Sequence, residues 1–292
     1  MARKKILRIG ALNIKTQPHS EQRYLDLFMM MFNKTKKGIK IRGSDWGMIG
    51  TLQTMNRNGN DFYIGRVYKF LNIDPDKAWL NTDTRKPEKD ENGAIVKPVA
   101  DNLKPNLRES YYAFFPKQHR MIYEINEMSP GMMLKLMTAL FNRKSIVGRF
   151  GNVDIEMETS IEAIDIILQI PTLRKIEIGI TKPNPGDVLD EDDEAEVFRR
   201  FDRIKARKLQ ENWSGQKGES LLPDEEMKKL MRVASSNGLI MATGYGRNDE
   251  KVVESTQDHP RTMTDEYDPN IQTTFSFFQD MASRFLRQLT RI

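Results

Sequence analysis

Two pairs of apolar runs, each joined by a short turn, fix most of what this chain can become. Residues 46–55 and 61–70 flank Asn56-Arg57-Asn58-Gly59-Asn60, and the Asn-Gly step supplies the positive-φ residues of a tight hairpin. Tyr111–Phe115 and Arg120–Ile125 flank Pro116-Lys117-Gln118-His119 in the same way. A hairpin commits its two strands to antiparallel pairing. A further strand is expected over 6–14. Between these runs the apolar period changes from two to nearly four. Ser20 stands where an N-cap belongs, and Tyr24, Leu25, Leu27, Phe28, Met31 and Phe32 then recur on one helical face. That helix ends in the cations of 34–40, with Gly38 as its C′ residue.

The second half reads the same way. Ser129-Pro130 opens a helix over 132–141. A strand at 153–157, a helix at 161–168 and a strand at 175–180 resemble half of a split β-α-β unit with one wet face. A long helix over 190–213 opens on acids and closes on cations, as the helix dipole prefers. A helix over 224–236, a hairpin over 239–256 and a C-terminal helix from Gln272 complete the pattern. Residues 82–108, with three prolines and many charges, read as a surface excursion. The expected fold class is α+β, antiparallel or mixed sheets with packed helices. Two subdomains are expected: a basic, sheet-rich one over 1–128 and an acidic α+β one over 129–292 that ends in the C-terminal helix.

Composition removes several chemistries. The chain has no cysteine and only three histidines, His19, His119 and His259, far apart in sequence. Disulfides, thiolate nucleophiles and cysteine-zinc sites are excluded, and no H-x-x-x-H pair exists. No apolar run is long enough to span a bilayer and no signal-peptide core follows the N-terminal cations, so a cytoplasmic protein is expected. No cofactor motif is found.

Charge supplies the lead on function. Residues 1–150 hold 27 Lys+Arg against 14 Asp+Glu, a net +13, and the remainder hold 19 against 27, a net −8. Such a split suggests that one half faces a polyanion. The cations concentrate around the first hairpin: Lys34, Lys36, Lys37, Lys40, Arg42, Arg57, Arg66 and Lys69, with Trp46 and Tyr63 among them. Lys117 and Arg120 lie at the second hairpin turn. Cations displace condensed counterions from phosphates, and aromatic faces let unpaired bases stack. The bland alternative is a solvated charged face with its aromatics turned inward.

Acidic residues offer a second reading. Asp154, Glu156 and Glu158 fall at i, i+2, i+4, so a strand would line them on one face, and with Lys175 and Glu177 they could build a metal-dependent nuclease site. The polar face of a half-buried sheet predicts the same alternation, and that reading is preferred. The acidic run 187–196 reads as a helix start, and Arg284, Arg287 and Arg291 as cations of a docked helix. His119 and His259 have acid–base chemistry but no nucleophile motif beside them. Ala242-Thr-Gly-Tyr-Gly-Arg247 reads as a hairpin turn rather than a phosphate loop.

Five segments together carry a family likeness: Lys40-Ile-Arg-Gly43, Tyr111-Tyr-Ala-Phe-Phe-Pro-Lys-Gln-His-Arg120, Lys182-Pro-Asn-Pro-Gly-Asp187, Ala206-Arg-Lys208 and Glu254-Ser-Thr-Gln-Asp-His-Pro260. In order and spacing the chain resembles the bacterial domain-of-unknown-function family number 4747 over nearly its full length. The resemblance implies a bacterial, cytoplasmic protein associated with mobile elements or phage defence, and it supplies no catalytic residues. The expectation is a nucleic-acid-binding accessory or effector protein in antiviral defence, with DNA or RNA as partner. The alternatives are the metal-dependent nuclease above and a protein-interaction module or homo-oligomer subunit.

Overall fold

The computed structural model describes residues 4–57, 60–74, 77–94, 100, 102–184 and 193–290. Strand β1 (Lys5–Lys15) leads into helix α1 (Glu21–Lys34), then β2 (Ile39–Arg42), β3 (Asp45–Arg57) and β4 (Asn60–Leu71). A small ribbon, β5 (Leu80–Asn81) with β6 (Lys86–Pro87), interrupts the excursion before β7 (Arg108–Phe115) and β8 (Arg120–Glu124). Then follow α2 (Pro130–Phe141), α3 (Lys144–Phe150), β9 (Asp154–Met157), α4 (Glu162–Leu168) and β10 (Thr172–Thr181). Last come α5 (Asp193–Ile204), β11 (Lys208–Ser214), α6 (Glu225–Asn237), β12 (Gly238–Tyr245), β13 (Lys251–Ser255), β14 (Thr262–Tyr267) and α7 (Thr274–Thr290). The fold is mixed α+β.

The larger sheet runs β14-β1-β8-β7-β4-β3-β2, with β9 also on β1. All its pairings are antiparallel. Strand β1 is its spine. Lys5–Gly10 pair with β14, Ile9–Asn13 with β8 and Leu12–Lys15 with β9. Both faces of β1 are covered, which accounts for its nearly unbroken apolar sequence. Leu12 and Ile14 join a core with Tyr24, Leu27, Phe28 and Met31 of α1 and Leu136, Met137 and Leu140 of α2. Leu7, Ile9 and Ala11 face the other way, onto Phe277, Phe278, Met281 and Phe285 of α7. Each such fully buried side chain contributes about 1.5–3 kcal/mol of transfer free energy. Residues on both sides of position 128 build these two cores.

The smaller sheet, β11-β10-β12-β13, is also antiparallel. Ile176, Ile178 and Ile180 turn inward onto Val197 and Phe201 of α5 and Leu230, Met231 and Ala234 of α6. Lys175 and Glu177 turn outward as an exposed ion pair, giving the wet face that alternation predicts.

Local signals placed most ends correctly. Ser20, Ser129 and Asp224 each accept a backbone N–H in the first turn of α1, α2 and α6. Several expectations change. Helix α1 caps at Thr35, and Gly38 belongs to the following turn. The long helix expected over 190–213 stops at Ile204. Lys205 takes a left-handed φ of 57°, and Lys208–Ser214 become β11 against β10. Strands β9 and β10, expected as one β-α-β unit, lie in different sheets. The segment that becomes β14 carries too few apolar residues to read as a strand. The turn at 58–59, most of the acidic run 187–196, and Arg291 lie outside the described residues.

Candidate nucleic-acid interface

Strand register defines the candidate surface. Cross-strand partners share a face, so Lys40 opposite Trp46, Trp46 opposite Phe70, Met48 opposite Tyr68 and Thr51 opposite Arg66 lie on one face. Phe62 and Ile64, on that same face of β4, pack with α7. Helix α7 lies over β14, β1, β8 and β7. Toward β2 its cover ends, and Trp46, Met48, Arg66 and Tyr68 are half-exposed while Lys40 is exposed. Two glycines shape this end. Gly38 has a φ of 71°, and a Cβ there would lie 2.8 Å from the Phe70 ring and 3.0 Å from the Gly47 carbonyl. Gly50, at the β3 bulge, lies under the Tyr68 ring, where a Cβ would come within 2.4 Å.

Exposed cations lie at the β2 end of the sheet. Lys34, Lys36, Lys37 and Arg42 are exposed in and around the loop that feeds β2. The loop is held from behind: Thr35 is buried and its hydroxyl donates to the Met31 carbonyl at 2.8 Å. Arg66 lies 5.4 Å over the Tyr111 ring and 3.2 Å from Glu109. Both side chains of that ion pair are about two-fifths exposed (43% and 41%), so it is worth at most about 1 kcal/mol and yields readily to a phosphate.

The remaining predicted residues separate from this group. Lys69 points to the opposite face and donates to the Glu127 carbonyl at 3.4 Å. Lys117 is exposed, but its turn follows Phe115, beyond the end of β4 that holds Tyr63. At about 3.3 Å per residue, that is roughly 25–30 Å along the sheet from Trp46. Arg57 closes β3 at the same far end, and its side chain lies outside the described residues. Arg120 is buried. Its guanidinium sits 2.6 Å from Glu158, with side chains 4% and 2% exposed, and it cannot meet a phosphate without unfolding β8.

The carboxylate row separates too. Asp154 receives Arg207 through Nε and Nη2 at 3.0 and 2.8 Å, with Lys208 at 3.4 Å. Glu156 accepts the Thr181 hydroxyl at 3.2 Å, and burial holds its pKa above the ordinary carboxylate value against the pull of Lys15. Glu158 faces Arg120. Each acid has its own partner, and Glu177 lies in the other sheet. Among the described residues no group of three His, Asp or Glu could hold a metal ion.

What sequence reading missed is a buried polar seam where the two sheets meet. The Lys15 ammonium, 2% exposed, donates to the Thr181 hydroxyl and to Asn237 Oδ1, and Asn13 Nδ2 donates to the Ser236 carbonyl. Beside it, the Tyr24 hydroxyl accepts the Thr16 N–H and Asn184 Nδ2–H, both at 3.2 Å. The same hydroxyl lies 3.3 Å from His19 Nδ1, within hydrogen-bond reach. Buried His119, at φ 44° in the second hairpin turn, stacks on Tyr24 and meets His19 edge-on. Its carbonyl accepts the Ile14 N–H at 2.9 Å.

Four of the five segments that carry the family likeness lie at this seam or beside it. His119 and Arg120 come from the second, Asn184 from the third and Arg207 from the fourth. In the fifth, His259 pairs with Glu254 at 3.3 Å and its carbonyl accepts the Ser160 N–H. A family model described as a domain of unknown function, DUF4747, matches residues 5–283. The chain belongs to the DUF4747 family. The matched span takes in both sheets and most of α7, so the DUF4747 unit is the whole two-sheet body rather than one half of it. No curated protein matches the chain. Among its described residues no helix is long and apolar enough to cross a membrane.

Proposed function

We propose that this DUF4747 chain binds single-stranded nucleic acid across the open end of its larger sheet. One observation carries the reading: the face left bare beyond α7 holds half-exposed Trp46 and Tyr68 between Lys40 and Arg66, with exposed Arg42 on the same edge strand and exposed Lys34, Lys36 and Lys37 in the segment that leads into it. Unpaired bases stack on aromatic faces while cations follow the backbone, and a flat sheet presents both on one surface. A duplex hides its bases and meets only the cations. The wider placement, as an accessory or effector protein of bacterial antiviral defence in the cytoplasm, is proposed from the family likeness.

The test is fluorescence anisotropy with short labelled single strands and duplexes at about 50 and 200 mM salt. Single strands are expected to bind more tightly. Lys36→Glu, Lys37→Glu and Lys40→Glu combined should weaken binding and reduce the salt slope by about 0.7 for each phosphate that is no longer neutralised. Trp46→Ala should cost about 1–3 kcal/mol and leave the salt slope unchanged. No binding to either form at low salt, or a triple variant that binds like wild type, sinks the proposal.

A further inference from the structure

Strand β3 is longer than its cover. It pairs with β4 from Asp45 to Arg57, whereas β2 reaches only Asp45 to Gly47. Among the described residues, Met48–Asn56 has no strand on the side away from β4. An open sheet edge is a template for another strand, and proteins ordinarily protect it with charge. The other edges here follow that rule. Strand β14 carries Asp265 and Glu266, β11 Lys208 and Glu211, β13 Lys251 and Glu254, and β2 Lys40 and Arg42. Met48–Asn56 carries no charge and no proline. The bulge at Gly50 breaks its inner part. Leu52–Asn56 is left as a straight run, in which Gln53, Thr54, Met55 and Asn56 are exposed.

We propose that this edge pairs with the same edge of a second copy, antiparallel about a two-fold axis through Thr54. That register keeps each pair on one face: Thr54 opposite Thr54, Gln53 opposite Met55 and Leu52 opposite Asn56. No like charges meet, and the contact closes on itself as an isologous dimer. It also places the two bare faces on the same side of one continuous sheet, so the second copy would lengthen the surface that carries Trp46 and Tyr68. The pairing stands independently of nucleic-acid binding.

Sedimentation equilibrium of the full chain without nucleic acid tests it. Wild type should show a concentration-dependent monomer–dimer equilibrium. Thr54→Lys, which sets two ammonium groups opposite each other, should weaken it about five- to tenfold. Thr54→Asp should weaken it as well, and an equal mixture of the two variants should recover dimer. Thr54 is exposed, so unchanged melting curves show that both variants fold. A wild type that stays monomeric at every concentration, a Thr54→Lys variant that dimerises like wild type, or a mixture without recovery would each overturn the proposal.

Discussion

Replacing Arg120 should unfold the protein before it affects any ligand. Arg120 opens β8, whose five residues are all buried, and its guanidinium lies 2.6 Å from Glu158 with almost no solvent on either side chain. Glu158 is anchored at both backbone ends: its N–H donates to the Ala11 carbonyl at 3.1 Å, and its carbonyl accepts the Arg261 N–H at 2.8 Å. The charge therefore cannot swing out to water. Removing one partner of a buried pair costs about 3–5 kcal/mol, because the other charge stays buried alone. Whole-domain stability is about 5–15 kcal/mol, so Arg120→Ala should remove about a fifth of it or more. The carboxylate left behind has one escape, which is protonation. Its folded-state pKa would rise above the unfolded value, so the variant recovers stability at low pH and loses it as pH climbs through the raised value. Urea unfolding followed by tryptophan fluorescence at about pH 5 and pH 8 should therefore show a penalty that grows with pH. Glu158→Gln should be damaging alone, and Arg120→Met with Glu158→Met together much less than the sum. Folded Arg120→Ala should bind single strands like wild type. A cost below about 1 kcal/mol, or weakened binding without loss of stability, would refute the assignment of Arg120 to the interior.

Two further outcomes follow from buried polar groups. Glu124 is held above the ordinary carboxylate pKa by burial, partly offset by the Tyr111 N–H it accepts at 3.1 Å, so stability is lost as pH rises from the ordinary value through the raised one. Glu124→Gln keeps an oxygen for Tyr111 and should be more stable than wild type at about pH 8 but not at about pH 4; a gain of equal size at both counts against the argument. Tyr24→Phe strands the Thr16 N–H and Asn184 Nδ2–H, at about 1–3 kcal/mol for each donor left unsatisfied. Urea unfolding measures that loss, and nitrogen chemical shifts of His19 should show its Nδ1 released; a variant as stable as wild type would dissolve the hub.

The parts of the fold that sequence revealed are those whose information is local. Ser20 and Ser129 cap their own helices, and Pro116–His119 turns its own hairpin. The period-two alternation of 175–180 reports its own wet face. What failed was decided at a distance. Thr262-Met-Thr-Asp-Glu-Tyr267 is a strand because Lys5–Gly10 lies ready to pair with it, more than 250 residues earlier in the chain. Lys208–Ser214 carries cations that suit a helix end, yet β10 offers it a complete ladder, and Lys205 turns the chain to reach it.

The same division runs through the surface and the seam. A lysine count shows that the first half is cationic, but only strand register shows that Lys40, Trp46, Arg66 and Tyr68 share one bare face. Sequence cannot tell Arg120 from those cations, because its partner, Glu158, lies 38 positions away, just past a strand that docks against β1. Nor do Lys15, His19, Tyr24, Asn184 and Asn237 announce themselves singly. They become a network because β9 joins the larger sheet while β10 joins the smaller, which leaves the polar ends of both sheets facing each other. A buried polar network holds one arrangement only if nearly every member is satisfied. Asn184 and His119 bring two of the family-likeness segments into that network, while Lys40 and Arg42 of a third lie at the bare face. The seam fixes how the two sheets join, and the proposed binding face lies apart from it, at the open end of the larger one.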